Sequence, residues 1–168
     1  MTFLQAARHV QDHQHNVAFV LVGGGKDEDT VKAKAEELGL KNIFLEGYQT
    51  DPYSYYKVFD VFVLTSKSEG LGSAILDAFA YRVPVTATAA GGIGELVQDG
   101  QTDDLAPVSD PHAVAEKILD VLLDCNSADG YVEDAFSLLQ ARHTVDAMAG
   151  CYAKLYQDLI ETDDENGH

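Results

Sequence analysis

Short apolar runs alternate with amphipathic stretches along most of this chain, and this alternation limits the possible folds more than any other feature of the sequence. Apolar runs of four to six residues are typical of strands that are buried on both faces of a parallel sheet. Amphipathic stretches between such runs are typical of helices that cover the sheet. The pattern therefore predicts an α/β fold, a Rossmann-like parallel sheet flanked by helices.

The sequence predicts five strands and the helices that connect them. The predicted strands are residues 17–22, 43–45, 60–64, 83–86 and 104–107, and the predicted helices are 3–11, 27–38, 52–58, 73–81, 95–97, 111–124, 129–140 and 145–160. No internal repeat or low-complexity linker interrupts this order. We therefore expect one domain over residues 1–161, followed by a frayed acidic tail at 162–168.

The size and the cysteine content of the chain indicate a domain that is stable without disulfide bonds. A chain of 168 residues that is 46% apolar can bury a core without disulfides. Cys125 and Cys151 form no CxxC pair, which predicts free thiols in a reducing compartment, and we expect both to be buried and inert within helices. The localisation expected is therefore cytoplasmic. No apolar stretch approaches the length of a transmembrane segment, so none is predicted.

The charge of the chain narrows the range of partners. There are 28 acidic and 11 basic residues, which gives a formal net charge of −17. A nucleic-acid backbone would be repelled by this charge, and we expect no nucleic-acid partner. A surface this rich in Asp resembles proteins of salt-loving organisms, in which salt screens the repulsion between acids. An acidic protein from an ordinary environment remains the alternative.

Three glycine-containing loops follow predicted strands, at residues 23–26, 65–72 and 87–94. In an open parallel sheet, ligands bind at the carboxyl ends of the strands, where the backbone N–H groups of the following helices point outward. One such loop is a weak signal, because glycines most often mark turns. Three loops at one edge predict a binding site there.

The middle loop combines two carboxylates with a helix start. Glu69 lies in the loop, and Asp77 lies eight positions later within the predicted helix. The amides of residues 71–73 between them suit a phosphate, whereas ionised carboxylates accept hydrogen bonds from hydroxyls. This arrangement predicts a ligand with a sugar, a phosphate and a second sugar. The alternative is a Ser-capped helix with a solvated acid nearby.

Two other groups of residues have the residue types and spacing of metal-binding motifs. Asp27-Glu28-Asp29 resembles a DxD motif, but these acids stand where a helix begins and there complement the helix dipole. His9, His13 and His15 crowd the end of the first predicted helix without a third ligand of clear geometry. We expect neither group to bind a metal.

Several segments together carry a resemblance to a known family. They are Val22-Gly23-Gly24-Gly25, Phe44-Leu45-Glu46-Gly47-Tyr48, residues 60–64, residues 66–80, Pro84-Val85, Gly91-Gly92-Ile93, Glu95-Leu96-Val97 and Asp99-Gly100. In this order they resemble the C-terminal, donor-binding half of family 4 glycosyltransferases. Those are retaining enzymes of GT-B architecture, which has two Rossmann-like domains.

The resemblance implies a role for each matching residue. Glu69 would be catalytic and face the transferred sugar, and Asp77 would bind the ribose of a nucleotide-sugar donor such as a UDP- or GDP-hexose. The other donor-binding residues that it implies are Gly23, Gly24, Gly25, Tyr48, Gln49, Gly70, Leu71, Gly72, Ser73, Gly91, Gly92 and Ile93. Such enzymes require no metal, so no metal or other cofactor is expected.

The chain also departs from the pattern of the family. Asp77 stands where Glu is usual, and Arg82 stands where Gly is common. The family's domain begins with a strand followed by an Arg and a Lys that clamp the diphosphate, and this sequence begins after them. We therefore expect a sheet without its first strand and weak donor binding. Turnover is expected to need an N-terminal acceptor-binding domain, on a longer or separate chain.

The sequence is also compatible in part with two other function classes. A non-catalytic nucleotide-sugar binding module or subunit fits the same motifs and remains the alternative. A flavodoxin-like receiver domain would fit the alternation of strands and helices. It needs an acceptor aspartate at the end of its third strand, where Leu64 here leads into Thr65-Ser66, and this disfavours it.

Overall fold

Strands and helices alternate through the computed structural model, which describes residues 1–97, 104–123 and 125–165. The strands are β1 (Phe19–Val22), β2 (Ile43–Gly47), β3 (Phe62–Leu64), β4 (Val85–Thr88) and β5 (Asp104–Ala106). The helices are α1 (Thr2–His13), α2 (Glu28–Glu37), α3 (Tyr53–Tyr56), α4 (Ser73–Ala80), α5 (Ile93–Leu96), α6 (Pro111–Leu123), α7 (Cys125–Arg142) and α8 (Val145–Glu165). The predicted α/β class is confirmed.

The strands that the structure describes form two parallel sheets rather than one. β1 pairs with β2, with Phe19 opposite Ile43. β4 lies between β3 and β5 in the second sheet, with Thr86 opposite both Val63 and Asp104. All four residues of β4 are buried, as expected for a central strand with helices on both faces.

Two hydrophobic clusters cover the two faces. On one face, α1 and α6 pack on Phe19 and Val63 through Ala6, Val10 and Ile118. On the other face, α4, α5 and α7 pack on β4 through residues that include Ile75, Phe79, Ile93, Leu96 and Leu139. Phe59 and Phe62 are partly buried and also pack against this cluster. The layers hold the turns after β3 and β4 in fixed positions.

Most predicted elements are present, but some bounds differ. The fourth strand begins at Val85 instead of residue 83, because Pro84 has no N–H group to donate to a neighbouring strand. The carbonyl of Pro84 instead accepts the N–H of Phe62 at 2.8 Å. The predicted turn at Asp99-Gly100 lies outside the described residues.

Helix α8 is longer and more exposed than the sequence suggested. It extends to Glu165, so the first four residues of the predicted frayed tail are helical. Its exposed apolar side chains are those of Val145, Met148, Tyr152, Leu155, Tyr156, Leu159 and Ile160. Cys151 is exposed as well, so its predicted burial is wrong: this helix turns no face to the core at that position. The side chain of Cys125 is outside the described part.

Arg82 occupies the turn between α4 and β4 with a positive φ of 58°. Glycine adopts this conformation without strain, whereas other residues rarely do, and this accounts for the glycine that is common at this position in the family that the sequence resembles. The Arg82 side chain offsets the strain with two contacts to α7. Its guanidinium pairs with Glu133 and lies 4.2 Å from the ring centroid of Phe136, a cation–π contact.

None of the helices in residues 1–97, 104–123 and 125–165 has the combined length and apolar character that a membrane span needs.

Candidate functional site

The turns after β3 and β4 pack directly against each other through glycine. A Cβ atom on Gly91 would lie 2.0 Å from the Glu69 carbonyl oxygen, and one on Gly92 would lie 2.1 Å from that of Gly70. The N–H of Gly92 donates to the Glu69 carbonyl at 3.3 Å. Only residues without a side chain permit this approach. The two turns therefore form one unit.

The carboxylate of Glu69 is held within this unit. The Ser66 hydroxyl donates to Glu69 Oε2 at 3.0 Å. Ser66 is fixed in turn, because the hydroxyl of the fully buried Thr88 donates to the Ser66 carbonyl at 2.7 Å. A chain of hydrogen bonds thus runs from the end of β4 to the carboxylate. Such a chain holds a side chain in position before a ligand arrives.

Helix α4 starts beside Glu69 and offers backbone donors. Gly72 precedes the helix in the left-handed conformation, with φ 74°, and a Cβ atom there would lie 3.6 Å from Cγ of Glu69. Ser73 is the first residue of the helix and caps nothing, so the alternative of a Ser-capped helix is wrong. In the part of the chain that the structure describes, the N–H groups of residues 71–74 donate to no backbone or side-chain acceptor. Together with the helix dipole they suit an anion.

The first glycine turn adjoins the end of β2. The N–H of Gly23 donates to the Gly47 carbonyl at 2.8 Å, and a Cβ atom on Gly24 would lie 3.2 Å from the backbone nitrogen of Tyr48. The Tyr48 side chain is 81% exposed. Gln49 donates through Nε2 to the Glu46 carbonyl at 2.7 Å, which orients its side chain next to Tyr48. An exposed aromatic ring at this edge is free to contact a flat ligand.

Asp77 lines a cavity of about 1110 Å³ together with Gly23, Gly24 and Gly25. Thr65 and Ser66 line the same cavity, and Ser66 connects it to Glu69. Burial raises the pKa of the Asp77 carboxyl above its ordinary value of 3.8. Burial also raises the pKa of the neighbouring Tyr56 to about 12, and the charge of Asp77 adds to that rise.

We expect Asp77→Asn to raise the melting temperature at pH 7. Burial disfavours the ionised form of the Asp77 carboxyl in the folded state. The contribution of the protonated carboxyl to the stability of the fold is therefore complete below pH 3.8 and is lost as the pH rises through the higher pKa of the folded state. Asp77 also lies near the carboxyl end of α4, where a negative charge is unfavourable. Thermal unfolding at pH 7 and pH 3 measures this difference, which should vanish at pH 3.

The exposed Asp120 on α6 provides the matched control, because Asp120→Asn removes the same charge without any burial. A melting temperature of Asp77→Asn that is lower than that of the unchanged chain at pH 7 would contradict the sign of this prediction.

The predicted site residues therefore fall into two adjoining groups. Glu69, Gly70, Gly91 and Gly92 form the first group through backbone contact, and Gly72 lies beside the Glu69 side chain. Ile93 is buried under it, whereas Leu71 and Ser73 are exposed beside it. The second group contains Gly23, Gly24, Gly25 and Asp77 around the cavity, with Tyr48 and Gln49 at its rim. Ser66 touches both groups.

Ser66 and Thr88 are the site residues whose roles the sequence did not reveal. Ser66 stands three positions before Glu69, and a hydroxyl at that spacing in a loop is a usable signal for a hydrogen bond. Thr88 gives no local signal, because its partner lies 22 residues away. Only the pairing of β3 with β4 brings Thr88 and Ser66 together.

The structure brings no metal-like cluster together in residues 1–97, 104–123 and 125–165. No group of three or more His, Cys, Asp or Glu side chains comes together there in a way that could hold a metal ion. Glu28 and Asp29 of the DxD-like segment occupy the first turn of α2.

Solved structures share this fold. The chain superimposes on Anabaena Alr3699/HepE in complex with UDP with a TM-score of 0.83 at 24% identity, over 94% of this chain and 44% of that one. It also superimposes on the C-terminal domain of a glycosyl transferase group 1 family protein (LpcC) from Francisella tularensis. There the TM-score is 0.76 at 25% identity, over 86% of this chain and 78% of that one.

Sequence comparison gives the same relationship. The Vi polysaccharide biosynthesis protein VipC/TviE of Salmonella typhi is 35% identical over 156 residues, which are 89% of this chain and 26% of that protein. The chain spans between about a quarter and two fifths of the length of the first curated relatives it matches. Residues 1–137 match the family described as glycosyl transferases group 1, and the chain therefore belongs to the group 1 glycosyl transferases.

Proposed function

We propose that this chain is the donor-binding domain of a retaining, family 4 type glycosyltransferase that takes a sugar from a nucleoside diphosphate sugar. The unit formed by Glu69, Gly91 and Gly92 beside the start of α4 carries this proposal, because it places a carboxylate and several free N–H groups next to each other. A carboxylate accepts hydrogen bonds from the hydroxyls of a sugar, and backbone N–H groups donate hydrogen bonds to the phosphates of a nucleoside diphosphate. Relatives solved with UDP and with UDP-glucose support this ligand class.

In this proposal the diphosphate lies against the N–H groups of residues 71–74. As the bond from the sugar C1 to the diphosphate oxygen breaks, negative charge develops on the diphosphate, and the N–H groups and the α4 dipole stabilise it. The acceptor oxygen forms the new bond to C1 from the same face, and its proton passes to the departing oxygen. We propose that backbone groups hold this charge without a metal ion.

Glu69 would bind the hydroxyls of the transferred sugar. Its carboxylate is preset by Ser66 and does not have to be ordered when the donor binds. A fixed acceptor of hydrogen bonds orients the ring, and orientation of the reacting carbon is a large part of catalysis. The role is therefore one of positioning in the transition state, with a large effect on turnover and a small one on nucleotide affinity.

Asp77 would bind the ribose hydroxyls, and Tyr48 and Gln49 would border the base. Asp77 shares its cavity with the first glycine turn, and Tyr48 adjoins that turn. An ionised Asp77 is the stronger acceptor, so its burial makes the binding of ribose depend on pH. An acceptor-binding domain, on a longer or separate chain, would complete the cleft.

Titration calorimetry with UDP and with GDP tests nucleotide binding by this chain. We expect saturable binding of one of them with a Kd of about 100 µM or weaker, roughly −5.5 kcal/mol. The affinity should be low because Lys26 is the one cationic side chain among the described residues that line the cavity. Asp77→Ala should weaken the binding by at least about tenfold, since the ribose loses its charged acceptor.

Asp120→Ala is the control with the same loss of charge at an exposed helical position, and it should bind like the unchanged chain. Two results would contradict the proposal: no saturable binding of either nucleotide at about 10 mM, or an Asp77→Ala variant that binds normally. A Kd below about 10 µM would contradict the expected low affinity, and not the assignment of the site.

A further inference from the structure

Side chains from β2, α3 and the turn between them are bonded to one another beside the exposed ring of Tyr48. The Tyr55 hydroxyl on α3 donates to Glu46 Oε2 on β2 at 3.0 Å. Nε2 of Gln49 donates to the Glu46 carbonyl at 2.7 Å. These four residues, Glu46, Tyr48, Gln49 and Tyr55, form the rim group. Glu46 is exposed, and holding an exposed side chain costs conformational entropy, so its fixed position points to a use.

The Tyr55 hydroxyl is a lasting donor to Glu46. Tyr55 is placed by the start of α3, where the Tyr53 N–H donates to Asp51 Oδ1 at 3.2 Å, and its ring packs 6.3 Å from that of Phe59. The hydrogen bond to Glu46 raises the pKa of the Tyr55 hydroxyl, and desolvation and the charge of Glu46 add to the rise. The hydroxyl therefore stays protonated at neutral pH and keeps Oε2 of the carboxylate in place.

The rim group adjoins the cavity that would hold the nucleotide. The residues on either side of Glu46 line this cavity, and so does Tyr55, to which Glu46 is bonded. The inference drawn here rests on the function proposed above, in which the base of the nucleotide lies against Tyr48 and Gln49. The carboxylate of Glu46 is then the anionic group of the rim group that is nearest to the base.

The carboxylate of Glu46 has capacity to accept further hydrogen bonds. Within the described residues, no hydrogen bond reaches its Oε1 atom, and no Lys, Arg or His side chain forms an ion pair with it. The backbone N–H groups of Tyr48 and Gln49 likewise donate to no acceptor in that part of the chain. A base at this rim therefore meets backbone donors and, close to them in the chain, a negatively charged acceptor.

The Watson–Crick edges of the bases differ in how they match such a set of groups. Guanine presents the O6 acceptor and then two adjacent donors, N1–H and the 2-amino group, whereas uracil presents one N–H between two carbonyl oxygens. Where guanine turns its 2-amino group to a carboxylate, uracil turns a carbonyl oxygen to it, and two acceptors repel each other. Adenine and cytosine lack two adjacent donors. A carboxylate beside backbone donors therefore favours guanine.

We propose that the rim group selects guanine and that the sugar donor of this chain is a guanosine diphosphate sugar. Glu46 accepts hydrogen bonds from N1–H and the 2-amino group, and a backbone N–H of Tyr48 or Gln49 donates to O6. The Tyr48 ring lies against the base, a contact that any base can make and that adds affinity without selection. Tyr55 acts through Glu46 and is a positioning residue.

Titration calorimetry on the unchanged chain with GDP, IDP and UDP tests the proposal. The base of IDP is hypoxanthine, which is guanine without the 2-amino group, so the pair GDP and IDP isolates the hydrogen bonds of that group. We expect GDP to bind at least about tenfold more tightly than UDP and at least about fivefold more tightly than IDP. This comparison needs no variant, so the folding of a variant does not affect it.

Two variants locate the selection in the rim group. Glu46→Gln keeps the size of the side chain but removes its charge, and it should weaken GDP binding by about tenfold without weakening UDP binding. Tyr55→Phe keeps the ring against Phe59 and removes only the hydroxyl. It should lower the ratio of GDP to UDP affinity by about threefold, a change that a merely structural role of Tyr55 would not produce. Glu36→Gln, at an exposed position on α2, is the control and should bind all three nucleotides like the unchanged chain.

Three results would overturn the choice of guanine alone: UDP that binds as tightly as GDP, IDP that binds as tightly as GDP, or a Glu46→Gln variant with an unchanged ratio of GDP to UDP affinity. Each of them leaves the proposed donor-binding function standing. If none of the three nucleotides binds, the proposed function is wrong, and the selection of guanine is overturned with it.

Discussion

Gly92→Ala is expected to lower the free energy of unfolding by about 1–3 kcal/mol and to abolish nucleotide binding. The new Cβ atom would lie 2.1 Å from the Gly70 carbonyl oxygen, which is backbone and cannot rotate away. Gly92 itself has an ordinary helical φ of −77°, so the whole effect comes from the steric contact. Urea denaturation measures the loss of stability, and calorimetry with UDP measures the loss of binding.

Gly94→Ala is the matched control two residues away. Nothing lies within 4 Å of a Cβ atom at Gly94, and the residue is part of α5. Alanine favours a helix over glycine, so this variant should be as stable as the unchanged chain or slightly more stable. Equal stability of Gly92→Ala and Gly94→Ala would show that the turns after β3 and β4 do not pack as described.

In an enzyme that pairs this domain with an acceptor-binding domain, as proposed, Glu69→Gln is expected to reduce kcat by about 10²–10³-fold, while the affinity for the nucleotide changes by less than about threefold. Glutamine keeps the size of the side chain but loses the charge that accepts hydrogen bonds from the sugar. The nucleotide is proposed to contact Asp77 and the α4 amides instead. Steady-state kinetics and nucleotide calorimetry on the same variant separate the two effects.

Glu36→Gln is the control for this measurement, because Glu36 is exposed on α2 and lies in a different element from the candidate site. It should leave both quantities unchanged. A Glu69→Gln enzyme that turns over normally would argue for the non-catalytic module instead, whereas an equal loss of turnover and nucleotide affinity would place Glu69 at the nucleotide.

The sequence predicted the elements well where local signals exist. Gly39 follows α2 in the left-handed conformation at φ 63°, and the apolar run Phe62–Leu64 forms a strand whose residues are half-buried. The limits of β4 were predicted two residues early, because its pairing with β3 and β5 decides where it begins and ends. Such pairing partners are distant in the chain and leave no local mark.

In the candidate site, too, local features could be predicted from the sequence and long-range contacts could not. The glycines and the two carboxylates are recognisable from residue type and spacing alone. The close contact between Gly91-Gly92 and Glu69-Gly70 is not, since it joins turns about 22 residues apart. The hydrogen bond from Thr88 to Ser66 likewise depends on the register of two strands. Tertiary packing therefore decides how firmly a recognisable motif is held.

Helix α8 has a consequence for how the chain melts. Its residues from 149 to 161 are exposed, so backbone hydrogen bonds within the helix contribute most of the free energy that stabilises this part of it. Local opening of this helix costs much less free energy than opening of the fully buried β4. The helical circular dichroism signal would therefore begin to fall on heating before the core unfolds. A two-state fit to that signal would give a stability lower than that of the core.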